Sequence, residues 1–426
     1  MGNTKKTTPW IPVLMMILLF GMIGFVTNLA APAGTIWKNQ YEDSNFLGML
    51  GNLMNFAAYL VMGIPAGRLL EKIGYKKTAL AAIVVGFVGV GIQFLSGFPT
   101  GHLAFAVYLL GAFVSGLCVC MLNSVVNPML NTIGGEGKRG NVLLQIGGSL
   151  NSLLGTLAPI LVGALIGEIT KKTEFANINP VLYIAMGVFA LVGIVLYFVN
   201  IPEPPLEKDL TRNSKYSAWN FRHFVLGAVG IFIYVGVEVG IPGTMKFFLE
   251  DKGFAPDAAG TVAATYWFLM LIGRLAGAGI ASKVSAKVLL SVASGIAMVL
   301  VCAAILVPGY KVVSMPVFSN WAFAINNAVP LSCLFLVLVG LCTSVMWGGI
   351  FNLAVEGLGK YVKQASGIFM MMVVGGGILP LLQNGIVDWT GKNFMISYLL
   401  PLAGLTYLLF YALSGSKNVN KDIPVE

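Results

Sequence analysis

Gly116-Leu117-Cys118 opens an apolar run that closes on Gly137-Lys138. The same two words, Gly340-Leu341-Cys342 and Gly359-Lys360, bracket a second run in the other half of the chain. A further echo links Gly67-Arg68-Leu69 to Gly273-Arg274-Leu275. A sequence that repeats itself within apolar stretches reads as two homologous membrane halves joined end to end. That is the layout of carriers that rock one half against the other.

Composition agrees. The 426 residues are 57% hydrophobic and 10% charged, with a mean hydropathy of +0.85, whereas a soluble chain carries roughly 25% charge. The class is therefore a polytopic membrane protein with the lipid bilayer as its solvent. Cys118, Cys120, Cys302, Cys333 and Cys342 lie in or beside apolar runs. None has metal-ligand spacing, so they read as small packing residues, with no disulfide, metal or cofactor. The first apolar run, Trp10 to Trp37, is too long for the core of a signal peptide.

A spanning helix takes roughly 20 apolar residues. That ruler predicts spans at 11–36, 45–68, 78–97, 102–131, 142–167 and 180–201. Six more follow at 224–248, 258–281, 288–307, 331–356, 366–386 and 394–413. The expected fold is all-α, with twelve transmembrane helices in two six-helix bundles. The domains are residues 1–201, a Pro- and charge-rich cytoplasmic linker at 202–222, residues 223–413, and a cytoplasmic tail at 414–426. With both termini in the cytoplasm, seven of the 26 basic residues fall outside: Lys38, Lys171, Lys172, Lys246, Lys252, Lys311 and Lys392. The other basic residues, Arg274 among them, fall at the inner ends. The net charge of +9 is thus a topology signal and implies no nucleic acid.

Sorting polar groups by depth isolates one acid. Glu238, in Tyr234-Val235-Gly236-Val237-Glu238-Val239-Gly240, sits mid-span, and no Lys or Arg is expected at comparable depth. Desolvation favours its protonated form, as a proton carrier requires. A permanently protonated Glu bonded to a neighbouring helix is the alternative. Amides are the other signal: Asn123 and Asn127 share a helix face at i, i+4, and Asn151 and Gln383 also fall inside spans. Amides facing lipid are costly, so these face protein or a cavity. With Tyr234 they supply donors and acceptors for hydroxyls, and Trp347 or Tyr266 offers a ring face to C–H patches. Each also serves plain helix packing. Together they suit a neutral polar ligand.

The turn holding Gly67, Arg68, Glu71 and Lys72 carries both charge signs. Arg68, Glu71 and the counterpart Arg274 are candidate gate residues; simple anchoring at the membrane face is the alternative. Gly134-Gly135-Glu136-Gly137-Lys138 has no following Ser or Thr and reads as an interhelical loop, not a phosphate loop. His102 and His223 lie at span ends, unpaired with Ser or Cys in any motif. No catalytic set is therefore expected, and the chain does not read as an enzyme.

Several segments resemble the fucose/glucose–galactose proton symporter branch of the major facilitator superfamily. They include Tyr59 to Gly67, Asn127-Pro128, Leu150-Asn151-Ser152, Phe232 to Val239, Tyr266-Trp267, Leu353 to Gly359 and Gly376 to Gln383. The resemblance implies alternating access with a sugar as cargo. It also implies an acid where Asn123 stands and another where Ala31 stands, so both ionisable positions of the fucose-type pattern are neutral here. Asn151 matches a sugar-contacting position, and Glu238 matches an acid of the glucose–galactose side. The expected function is monosaccharide transport in a bacterial-type inner membrane, proton-coupled and by a monomer. A uniporter, or a carrier of a nucleoside or drug, is the alternative.

Overall fold

The computed structural model describes residues 10–133, 138–167, 169–203, 216–280, 284–319, 322–420 and 422–425. Most of the expected linker and the 134–137 loop lie outside these residues. Where lipid surrounds the chain, every backbone polar group needs an internal partner, so apolar runs become helices. The first half holds α1 (Trp10–Asn28), α2 (Ala30–Gln40), α3 (Asn45–Leu95), α4 (Gly101–Ile133), α5 (Lys138–Ile166) and α6 (Asn179–Phe198). The second holds α7 (Arg222–Asp251), α8 (Pro256–Ile280), α9 (Ala286–Leu306), α10 (Leu331–Thr343), α11 (Met346–Val355), α12 (Val362–Met372), α13 (Gly375–Trp389), α14 (Phe394–Ser397) and α15 (Leu399–Phe410).

Among the described residues, eleven helical segments are long and apolar enough to cross a membrane. One of them, α3, runs for 51 residues, about 77 Å of helix and more than two hydrocarbon thicknesses. Gly74, at φ 84° and ψ 173°, breaks it into two runs, a conformation a side chain would resist. The expected second and third spans are therefore two arms of one element, and the total is twelve. Spans one, ten, eleven and twelve are each broken by a short irregular step: α1/α2, α10/α11, α12/α13 and α14/α15.

The repeated words do the same physical work in each half. A Cβ on Gly116 of α4 would stand 2.1 Å from the Asn55 carbonyl oxygen of α3. A Cβ on Gly340 of α10 would stand 2.3 Å from the Tyr266 carbonyl oxygen of α8. The fourth span thus touches the second, and the tenth touches the eighth, backbone to backbone. Close approach of this kind holds helices together where lipid offers no hydrophobic drive between them.

One element departs from the expected pattern. Residues 308–330, expected as a plain outer connection, carry an antiparallel hairpin of β1 (Val312–Ser319) and β2 (Ala322–Pro330), with Val312 opposite Pro330. Its β-branched valines suit a pleated surface, and Met315, Val317 and Val329 are buried. The hairpin lies at the end of the molecule that also carries the Tyr41–Ser44 turn, here the Tyr41 end; the opposite end carries Gly74.

Candidate functional site

The second half gathers five of the expected site residues: Tyr234, Tyr266, Trp347, Glu238 and Arg274. Tyr234 of α7 and Tyr266 of α8 are both fully buried and converge on Thr343 of α10. The Tyr234 hydroxyl donates to the Thr343 carbonyl at 3.1 Å. The Tyr266 hydroxyl lies 2.8 Å from the Thr343 hydroxyl, which is directed to the Val339 and Gly340 carbonyls. Tyr266 is therefore the donor of that pair. Trp347 meets the Tyr234 ring edge-on, with centroids 6.2 Å apart, and is only half-buried. Tyr266 has no free face for a ligand in this conformation, since it is buried and in edge contact with Trp267.

Glu238 does not stand alone. Its Oε1 lies 3.6 Å from Nη2 of Arg274, with 17% and 12% of the Arg274 and Glu238 side chains accessible. The expectation that no cation reaches this depth is overturned. Arg274 belongs to the last third of α8, but its long side chain carries the guanidinium back into the protein, as snorkelling side chains do in the opposite sense. Sequence position placed the Cα near the turn and said nothing of the head group. The Arg274 side chain is 17% accessible. Its Nη1 donates to the Gly148 carbonyl of α5 at 2.9 Å, across to the first half. The Tyr234 hydroxyl is also within hydrogen-bond reach of Glu238.

The first-half amides form a second group. Asn123 Nδ2 donates to the Tyr59 hydroxyl at 2.7 Å, and Asn127 Nδ2 donates to the Asn123 carbonyl at 2.9 Å. Both are half-buried. Asn151 is half-buried too, and its Nδ2 ties α5 to α1 through the Phe20 carbonyl at 3.0 Å. Gln383 is 1% exposed against Gly240, and its Nε2 has no hydrogen-bond partner among the described residues. It is a buried donor awaiting an acceptor. Of the gate residues, Arg68 is exposed and Glu71 half-buried, both on the arm of α3 that ends at Gly74.

The Tyr41 end is closed by polar contacts that sequence reasoning missed. Lys38 and Lys246, expected outside, are 6% and 5% exposed. Lys38 of α2 and Lys246 of α7 approach the two oxygens of Glu250 at 3.6 and 3.5 Å. Thr35 donates to Glu250 Oε1 at 2.9 Å, and Lys246 also donates to the Ala31 carbonyl at 2.9 Å and to the Thr35 hydroxyl. Beside this triad, Asp388 of α13 accepts from the Ser44 hydroxyl at 3.0 Å, the Asn45 amide at 3.2 Å and the Phe46 amide at 2.9 Å. A side chain of the second half thereby caps a helix of the first. Asn52 of α3 adds a bond to the Gly376 carbonyl of α13 at 2.8 Å. The available signal was the pair of acids at span ends, which depth sorting set aside.

The Major Facilitator Superfamily profile matches residues 13–381. The chain belongs to the Major Facilitator Superfamily. It is a multi-pass membrane protein with the twelve-helix, two-bundle architecture of that family. The glucose/galactose transporter of Brucella abortus biovar 1 (strain 9-941) is 30% identical over 414 residues, covering 95% of this chain and 93% of that one. A putative glucose/galactose transporter of Helicobacter pylori (strain J99) is 29% identical over 97% of this chain and 98% of its own. The L-fucose-proton symporter of Escherichia coli K12 is 20% identical over 94% and 92%. The crystal structure of the Escherichia coli fucose:proton symporter superposes with a TM-score of 0.70 at 19% identity, covering 97% of this chain and 100% of that one. This last likeness shows the fold.

Proposed function

We propose that this major facilitator carries a monosaccharide of the hexose or fucose class across a bacterial inner membrane by alternating access, in symport with protons. The single observation that carries this reading is kinship along the whole length to glucose/galactose transporters. The geometry supports it. Half-buried Asn123, Asn127, Asn151 and Trp347 leave polar and ring surface for a neutral polyol. Glu238 lies in the interior of the second half, with Arg274 and Tyr234 as its polar neighbours. Gln383 joins the site when the halves rearrange and its free donor meets a hydroxyl.

The working unit is a monomer, with residues 202–222 as the cytoplasmic linker and both termini inside. The Gly74 end then faces the cytoplasm, and the contacts at the Tyr41 end seal the outer side. Arg68 and Glu71 act as a latch in the opposite conformation. One proton carried inward contributes about 2.3 kcal/mol per 100 mV.

A uniporter is the second reading. It is favoured by the neutral Asn123 and Ala31 and by the resident cation beside Glu238, which also suits a fixed ion pair. Uptake into proteoliposomes with and without an inward pH gradient, across fucose, galactose, glucose, mannose and N-acetylated sugars, decides between them. Gradient-driven accumulation of one sugar is expected. Equilibration without accumulation identifies a uniporter, and no uptake of any sugar refutes the substrate class.

A further inference from the structure

We infer that the first half carries a seat for an anionic phospholipid, between the second arm of α3 and α6 at the Gly74 end of the molecule. On α3, Leu80, Val84 and Phe87 recur at helical spacing and line one wall of an apolar groove; Ala190, Ile194 and Tyr197 of α6 line the other at the same spacing. The groove holds about 520 Å³, within the roughly 300–1,000 Å³ of ligand sites. Its lining offers hydrocarbon and aromatic rings and no charge, which suits an acyl chain and not a small polar solute. A Cβ on Gly193 would stand 3.1 Å from Ile83, so the two helices close together at the floor. Phe198, 77% exposed, forms a ridge. On its other side lies a second hollow of about 620 Å³, bordered by Ile11, Pro12 and Ile201. A lipid with two chains can straddle that ridge.

Charge at the mouth selects the headgroup. The α3 stripe continues as Lys76 and Lys77, four and three residues before Leu80. Lys76 Nζ donates to the Tyr197 carbonyl at 2.9 Å, so an ammonium stands where the groove reaches the end of α6. It offsets the negative end of that helix, which would otherwise repel an anion. Lys77 is exposed. Around the Gly74 joint, Arg68, Lys72, Lys76 and Lys77 outnumber Glu71 and Glu203. The Glu203 carboxylate is taken up by the Tyr75 and Lys76 amides at 2.7 and 3.0 Å. Exposed Tyr197 and Phe198 mark the level where aromatic rings meet headgroups. Basic groups at that level beside an apolar groove match a lipid phosphate joined to its chains. A zwitterionic lipid fits the groove equally but brings its own cation to the lysines. A free anion meets the lysines but leaves the groove unused.

The test uses the full chain purified in detergent. Native mass spectrometry counts the lipid retained from an equimolar mixture of phosphatidylglycerol and phosphatidylcholine with the same acyl chains. A lysine at a membrane surface strengthens binding of an anionic lipid roughly fivefold, so wild type is expected to favour phosphatidylglycerol at least about tenfold. Lys76→Gln combined with Lys77→Gln should bring that preference to within about twofold of parity. Lys77→Gln alone, which keeps the Lys76 bond to the Tyr197 carbonyl, should lower it roughly fivefold. Lys287→Gln, which removes a basic residue from the second half, should leave it unchanged. Ala190→Trp keeps both lysines and fills the groove from an exposed position; retention of phosphatidylglycerol should fall several-fold. Equal retention of the two lipids by wild type overturns the inference. So does a preference that survives in both lysine variants, or one lost equally in Lys287→Gln. Full retention of phosphatidylglycerol in Ala190→Trp overturns it too, because the lipid then sits elsewhere.

Discussion

Replacing Glu250 with Gln tests whether the Tyr41 end is held shut by charge. Lys38 and Lys246 face one carboxylate at 3.6 and 3.5 Å, with all three side chains 8% accessible or less. Glutamine preserves the shape and an acceptor for Thr35, but leaves two buried ammonium groups without an anion. Removing one partner of a buried ion pair costs about 3–5 kcal/mol. The part of the penalty that falls on the closed conformation is that of Lys38, which reaches Glu250 from the first half and returns to water when the halves separate, whereas Lys246 and Glu250 share α7. At 1.4 kcal/mol per decade, the balance moves toward an open Tyr41 end by at most roughly two to three and a half powers of ten. The assay is a spin-label distance between Phe98→Cys and Leu306→Cys, exposed positions in different halves at that end, in a background free of the five native cysteines. The expected result is a new, longer distance that dominates the distribution. Adding Lys38→Met and Lys246→Met should restore the short distance, since an apolar cluster of similar volume replaces a buried ion pair at little cost. An unchanged distribution in Glu250→Gln refutes the claim that this triad closes the end.

Other perturbations follow from the same geometry. Asp388→Ala removes the capping carboxylate from α3 and should lower stability by about 0.5–2 kcal/mol, read as an earlier thermal transition in detergent. Asn151→Ala breaks the bond to the Phe20 carbonyl and exposes less polar surface; sugar affinity should weaken several-fold in an equilibrium binding assay, and unchanged affinity removes Asn151 from the site. Outside the membrane, the hydrogen bond from Lys171 holds the Asp43 carboxyl below its ordinary value. That contact is therefore present at neutral pH and lost as pH falls from the ordinary carboxylate range through the lowered one. After correction for the intrinsic pH dependence of exchange, amide protection in residues 41–44 and 170–173 should fall on acidification in wild type and show no such step in Lys171→Ala.

Much of this architecture was legible in the residues. The Gly-Leu-Cys words marked the two contacts where helices four and ten touch their partners, because close backbone approach demands glycine on whatever half it occurs. The crossings were readable because apolar length is a property of local sequence. Side-chain reach is not. Arg274, Lys38 and Lys246 were placed by their Cα positions near the ends of spans, yet their head groups travel several ångströms into contacts set by the other half. Nor did depth alone foretell that Asp388 caps a helix more than three hundred residues earlier in the chain. The valine-rich hairpin escaped a ruler built for helices. Asn123 and Asn151 bond to neighbouring helices, a pairing that depends on how the helices are set against each other and not on depth alone.

The borrowed cap on α3 has a consequence for wear. Ser44 already accepts a hydrogen bond from the Leu47 amide at 3.2 Å while donating its proton to Asp388. When α13 withdraws, water can take the place of the departing carboxylate and the serine keeps its grip. The first turn of α3 need not unravel at each opening, so the joint can part and reseat through many cycles like a magnet lifted from its plate.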